Sequence, residues 1–297
     1  MAMYPVDVLS EDANEQLTSA SVKCLSSIDS DPAHGDWFYT SIQPEVAITA
    51  NNIKQLQVFN DKPDFMVWTL HLPGEPQQVV ALHLFGKWCH INDVLRSTNK
   101  SRNGLEMVKS TIERVLVLVL SQLVDRFLEE AQLFSNHCSN EICKLLWVHG
   151  EAVGFYSFKP KGSLSDNCLS QCYELPVLDT IYVRPDWRRR GFALLMLGDF
   201  CETFPNEELL GVSAPLSVGM VAVCKKFLIQ RKEHRDVIYE VEAPGSWIQR
   251  RNIWLKIQLG RYSQSNSSST SLKVEGDDGD QSFPKNATLN STLIQDP

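Results

Sequence analysis

The chain has 297 residues, of which 43% are hydrophobic, with a net charge of −8 and a pI near 5.4. That is enough apolar material for one large domain or two small ones, and an acidic chain without a long basic stripe is not a general nucleic-acid binder. Only residues 177–261, with 13 basic against 10 acidic side chains, are net positive, which suits a polyanion held locally.

Residues 1–35 are acidic, serine-containing and without clear periodicity, and are expected to form a loosely ordered lead. A domain is expected over 36–261, with its core in 105–245. Trp37-Phe38-Tyr39 opens more packed sequence. Val46 to Ile48 and Met66 to Leu72 read as strands, and Pro73-Gly74-Glu75-Pro76 turns the second into a return strand, Val79 to Phe85. After Asn103-Gly104 a helical pattern is expected from about Leu105 to Phe134. Its continuous apolar run, Val115 to Leu120, is far short of the ~20 residues a membrane span needs, so it predicts a core helix. Leu145 to Val148, His149-Gly150-Glu151 and Ala152 to Phe158 read as a hairpin with a tight glycine turn. Gly154 lies inside its second strand, where glycine marks a bulge or a close approach. Residues 159–174 read as a polar loop.

The next stretch, LPVLDTIYVRPDWRRRGFALLMLGDFCETF, is the most informative. Val177 to Val183 is a short branched-apolar run, as a buried strand should be. Arg184-Pro185-Asp186 ends it, since proline cannot donate to a ladder. From Ala193, apolar residues recur at helical spacing through Leu194, Leu197, Phe200, Cys201 and Phe204. Between strand and helix stand Arg188, Arg189, Arg190, Gly191, Phe192 and Ala193. The first turn of a helix leaves N–H groups without intrahelical partners and carries the positive end of the dipole. Small residues there let a phosphate approach the backbone, and three arginines add charge. The turn therefore predicts an anion site; a solvated basic turn is the alternative. Further on, Leu209 to Ala214 reads as a strand ended by Pro215, Ser217 as the cap of a helix through Phe227, and Val237 to Val241 and Ile253 to Leu259 as strands. Residues 262–297 are Ser-, Asn- and Asp-rich and are expected to be disordered.

The eight cysteines have no framework spacing, and the N-terminus lacks a charged start followed by an apolar core. Reduced thiols in an intracellular protein are the simplest account. Cys138-x4-Cys143 and Cys168-x3-Cys172 lack the spacing of a zinc site, so no metal is expected.

Arg188-x-x-Gly191-x-Ala193 after a strand resembles the pyrophosphate loop of the GCN5-related N-acetyltransferases, and the order of elements resembles their α/β fold, a mixed, mostly antiparallel sheet flanked by helices. More closely, TIYVRPDWRRRGFALLMLGDF and PLSVGMVAVCKKFL resemble the family with sequence similarity 169, the soluble lamin-associated group. The resemblance implies acetyl-coenzyme A as cofactor, with Ile181, Tyr182 and Val183 on its pantetheine and Arg188 to Ala193 on its pyrophosphate. It implies acyl transfer from the thioester to an unidentified amine, and a nuclear location, with the nuclear lamina as a partner.

Transfer to an amine needs a base for the ammonium and an acid for the leaving thiolate. Asp179 and Glu174 are the candidate bases, against structural readings as a strand residue and a loop charge. Where the acetyltransferases carry a tyrosine acid on their late helix, this chain has Cys224, whose thiol would donate the proton or simply pack as a small apolar residue. Two readings follow. One is a coenzyme A-dependent N-acyltransferase, the other a catalytically inactive scaffold of the same fold.

Overall fold

Turns and helix caps punctuate the chain, and between them the apolar pattern alternates between strand and helix periods. A computed structural model describes residues 4–8, 37–39, 45–123, 138–139, 141–165 and 168–262. Most of the expected lead and all of the expected tail after Tyr262 lie outside the described residues. Within the lead, Pro5–Asp7 form a 3-10 turn with Pro5 and Val6 buried. The Asp7 carboxylate accepts from Ser97 Oγ at 2.6 Å and from the Thr98 N–H at 2.8 Å.

In chain order, β1 (Trp37–Phe38) and β2 (Val46–Ala47) pair with each other. Then β3 (Ile53–Phe59), β4 (Lys62–Leu72), β5 (Glu75–Leu84) and β6 (Lys87–His90) make an antiparallel four-stranded sheet. The short α1 (Ile91–Val94) leads to β7 (Gly104–Met107), α2 (Thr111–Leu118) and a π-helical turn, Val119–Leu123. The hairpin β8 (Ile142–Val148) and β9 (Glu151–Lys159) follows, then the small pair β10 (Leu164–Ser165) and β11 (Cys168–Cys172). β12 (Val177–Val183), α3 (Phe192–Thr203), β13 (Leu210–Ser213), α4 (Val218–Gln230), β14 (Ile238–Val241), β15 (Arg250–Asn252) and α5 (Ile253–Gln258) complete the chain.

The larger sheet has seven strands in the order β15-β14-β13-β12-β9-β8-β7. Only the β12–β13 and β13–β14 pairs are parallel, so the sheet is mixed and mostly antiparallel, as expected. One face packs on α3, α4 and α5 through Met196, Leu197, Phe200, Phe227, Leu228 and Ile253. The other packs on α2 and the four-stranded sheet, with Leu145, Trp147 and Phe155 against Val67, Leu82 and Leu116. The outer side of the smaller sheet is covered by Phe38, Val46 and Ile48. The β4–β5 hairpin belongs to this smaller sheet, which shares a core with the larger one.

Three expectations are corrected. The helix expected from Leu105 begins at Thr111, because Gly104 takes φ +92° and turns the chain into register with β8. Helix start is fixed later, by the Ser110–Glu113 capping box; residues 124–134 of the expected helix lie outside the described residues. Ile253 to Leu259 is helical rather than extended, since the Asn252 side chain accepts from the Leu255 N–H and caps α5. The polar loop 159–174 contains the β10–β11 hairpin. No helix among the described residues is long and apolar enough to cross a membrane.

Candidate functional site

The two edges of β12 differ. Along β9 its ladder runs from Val177↔Lys159 to Val183↔Gly154, interrupted by one bulge between Leu178 and Thr180, at Asp179. Along β13 it has only two positions, Val177↔Gly211 and Leu178↔Val212. From Asp179 onward the strands part. The closed edge depends on Gly154, since a Cβ there would stand 2.5 Å from the Tyr182 carbonyl oxygen.

Backbone alternation assigns what faces the opening. The Arg184 N–H donates to the Val153 carbonyl at 2.9 Å, so Arg184 and, two residues back, Tyr182 hydrogen-bond toward β9. Ile181 and Val183 then turn their N–H and C=O groups toward the edge that β13 has left. Of the three strand residues named above, Ile181 and Val183 therefore present backbone to the opening. Tyr182 does not: its main chain serves the β9 ladder, and its ring packs beside Phe155 at 5.9 Å between centroids.

The arginine turn closes the open end. Pro185–Trp187 make a 3-10 turn, Arg189 takes the left-handed φ of +65°, and Gly191 at φ +88° is the N-cap of α3. A Cβ on Gly191 would meet nothing within 4 Å, so glycine is required there for its φ, not for internal space. α3 has no side-chain cap and no acidic residue in its first turn. By contrast α1, α2, α4 and α5 are each capped by a side chain, from His90, Ser110, Ser217 and Asn252. The N–H groups around Phe192 and Ala193 are thus left for something other than a cap.

The three arginines do different work. Arg188 Nε donates to the Val183 carbonyl at 2.8 Å and its guanidinium lies 5.9 Å from the Tyr182 ring centre, bracing the strand end. Arg190 donates to the Asp186 carbonyl at 3.0 Å and stacks over Trp187 at 4.7 Å. Arg189 is exposed at the rim.

The candidate acid–base residues separate. Asp179 sits at the bulge where β12 and β13 part, a quarter exposed, with Oδ1 4.0 Å from Lys159 Nζ and Oδ2 3.5 Å from Thr180 Oγ1. Glu174 lies beyond the other end of β12, five residues before Asp179 or ~17 Å of extended chain. It accepts from Arg250 of β15 at 2.7 Å. Cys224 is fully buried against the α3–α4 interface. Burial, with the neighbouring Cys201 adding to it, pushes its thiol up to about 12.

A second polar cluster escaped the sequence reading. Asp199 of α3 accepts from Lys144 Nζ at 2.6 Å and from the Tyr156 hydroxyl, and Lys144 also reaches Thr203 Oγ1 at 3.1 Å. Burial and this carboxylate push the Tyr156 pKa up. The cluster pins α3, and hence its bare N-terminus, to β8 and β9. A signal was present: Asp199 interrupts the otherwise apolar run from Phe192 to Cys201.

No family model matches the chain. Over 283 residues, 93% of this chain and 84% of the relative, it is 35% identical to protein FAM169B of Mus musculus. Over 118 residues, 38% of this chain and 62% of the relative, it is 42% identical to protein FAM169BP of Homo sapiens. Among solved structures it is similar to the ribosomal-protein-alanine N-acetyltransferase of Brucella melitensis biovar Abortus 2308, with a TM-score of 0.28 and 18% identity, covering 43% of this chain and 90% of that one.

Proposed function

The chain belongs to the FAM169 family, and from that premise we propose that it binds a coenzyme A thioester along the open edge of β12 and passes the acyl group to an amine. The observation that carries this reading is the continuity of three features. Strands part at Asp179, backbone at Ile181 and Val183 faces the gap, and the gap ends at a cationic turn before an uncapped helix. A ligand with a diphosphate head and an extended amide-bearing arm matches that order. Phosphates meet the N–H groups of the first helical turn, which the dipole favours. The arm's amides exchange hydrogen bonds with Ile181 and with the Val183 N–H in place of a neighbouring strand, the Val183 carbonyl being held by Arg188, and the thioester reaches the point where the strands diverge.

At that point the helical face is closed by Leu178 and Val212 in the apolar core. Asp179 and Lys159 lie on the opposite face, so an acceptor amine enters from there. Asp179 takes a proton from the ammonium; the amine attacks the thioester carbon, the C–S bond breaks, and the thiolate leaves with a proton from the collapsing adduct. A scaffold that binds without turnover is the second reading, favoured by the burial of Cys224 at the position of the family's acid. Nuclear or lamina association belongs to either reading through the family resemblance. Amine-dependent release of free coenzyme A separates the two.

Donor binding is tested first, by calorimetric titration of acetyl-coenzyme A into the wild type and Ala193→Glu. A carboxylate in the first turn suits the helix dipole while repelling phosphate, so the variant stays folded. The wild type should bind at micromolar strength, about −8 kcal/mol, and the variant at least ~30-fold more weakly, about 2 kcal/mol. A folded wild type that shows no binding overturns the reading.

A further inference from the structure

Lys159 is an unusual residue at the fork between β12 and β13. It is the last residue of β9, pairs in register with Val177, and its side chain is only 11% exposed. Its neighbour Phe158 points into the helical core, so Lys159 points to the other face. There its ammonium stands 4.0 Å from Asp179 Oδ1 and 5.5 Å from the centre of the Tyr173 ring, which is itself buried. An amine, a carboxylate and a low-dielectric wall thus meet one residue past the last β12–β13 ladder position, Leu178↔Val212.

We propose that Lys159 is an acyl acceptor within the chain itself, taking the acyl group from a coenzyme A thioester held in the fork. The inference rests on the donor-binding reading above and adds to it the identity of one acceptor. In the step, Asp179 accepts one proton from the Lys159 ammonium. The freed Nζ lone pair attacks the thioester carbonyl carbon, a C–N bond forms and the C–S bond breaks. A second Nζ proton leaves with the thiolate, giving free coenzyme A, and Asp179 releases its proton to solvent. Acylation removes the charge that faces Asp179, so the product also unpairs the carboxylate at the fork.

The test is peptide mass spectrometry of the full chain over time with acetyl-coenzyme A, alongside calorimetric titration. Lys161, two residues on and 60% exposed at its side chain, reports unassisted acetylation. Acetyl transfer to Lys159 should outrun that to Lys161 by roughly tenfold or more, since the donor is held beside it. It should slow in Ala193→Glu, which weakens the donor, and in Asp179→Asn and Asp179→Ser, which remove the base; circular dichroism identifies the variant that remains folded. Binding of acetyl-coenzyme A without faster modification of Lys159 than of Lys161 overturns this inference and leaves the donor reading standing, as does a rate unchanged in a folded Asp179 variant. No binding and no modification overturns both.

Discussion

The two halves of the seven-stranded sheet are built on opposite terms. On one side β7, β8, β9 and β12 form an antiparallel ladder, with Trp147 and Phe155 fully buried on one face and Tyr156 on the other. On the other, β13, β14 and β15 leave β12 after two ladder positions. They are held by side chains instead: the Glu240 carboxylate accepts from the Lys256 ammonium, from the Tyr262 hydroxyl at 3.0 Å and from the Leu216 N–H at 3.2 Å. The difference teaches how a sheet can expose unpaired backbone without losing its fold. Hydrogen bonds given up between β12 and β13 are replaced, on the parted half, by charge-assisted bonds that tie α5 to β14, and α3 is pinned through Asp199. The opening is confined to the few residues that a ligand would complete.

Breaking the closed half should have the largest effect. Gly154→Val places a Cβ 2.5 Å from the Tyr182 carbonyl and against the backbone of Val183, where neither can yield without losing ladder bonds. A loss of about 3 kcal/mol is expected, read as the midpoint of denaturant unfolding; a loss below about 1 kcal/mol would show that the closed edge is slack.

Loosening the parted half should cost less. Burial pushes the Glu240 carboxyl up, but its bonds from Lys256, Leu216 and Tyr262 together outweigh that and hold it below the ordinary carboxylate range. Glu240→Gln should remove about 2 kcal/mol. The sign of the pH effect follows from the lowered value. Glu240's contribution is complete above the unfolded carboxylate's range and is lost as pH falls through the lower folded value. Wild-type stability should therefore drop more steeply in acid than that of the variant. Parallel curves would mean that the carboxylate is not what holds this half.

The smallest effect on stability is expected at the rim. Arg189→Gly relieves the left-handed conformation of Arg189 but gives the unfolded chain more freedom, so net stability should change by less than about 0.5 kcal/mol. Donor affinity should nevertheless fall in the calorimetric titration, because Arg188 and Arg190 are engaged with backbone carbonyls and aromatic rings. Unchanged affinity would shift the anion contact to the helix N–H groups alone.

Much of the fold was legible because local signals were strong. The β8–β9 hairpin follows from His149-Gly150, both at positive φ, and the strand–turn–helix around Arg188 to Ala193 follows from Pro185, Gly191 and the switch of apolar period. Ser217 announced α4. Where signals were local but ambiguous, tertiary pairing chose: Leu105 to Met107 fits a helix by pattern and became a strand because β8 offered an edge. The candidate site was half legible. The turn was readable, whereas Glu174 and Asp179 looked alike until one was paired with Arg250 at 2.7 Å and the other stood at the fork.

By itself the sequence determined the β8–β9 hairpin, the strand and helix around the cationic turn, and the family, since each is written in contiguous residues whose spacing and backbone preferences act over a few positions. Only the tertiary structure decided where β12 and β13 part, that Lys159 faces Asp179, that Asp199 anchors α3 and that Cys224 is sealed in the core. Those depend on register and on which faces meet, and contacts between residues dozens of positions apart are set by packing the whole chain at once, not by any local pattern.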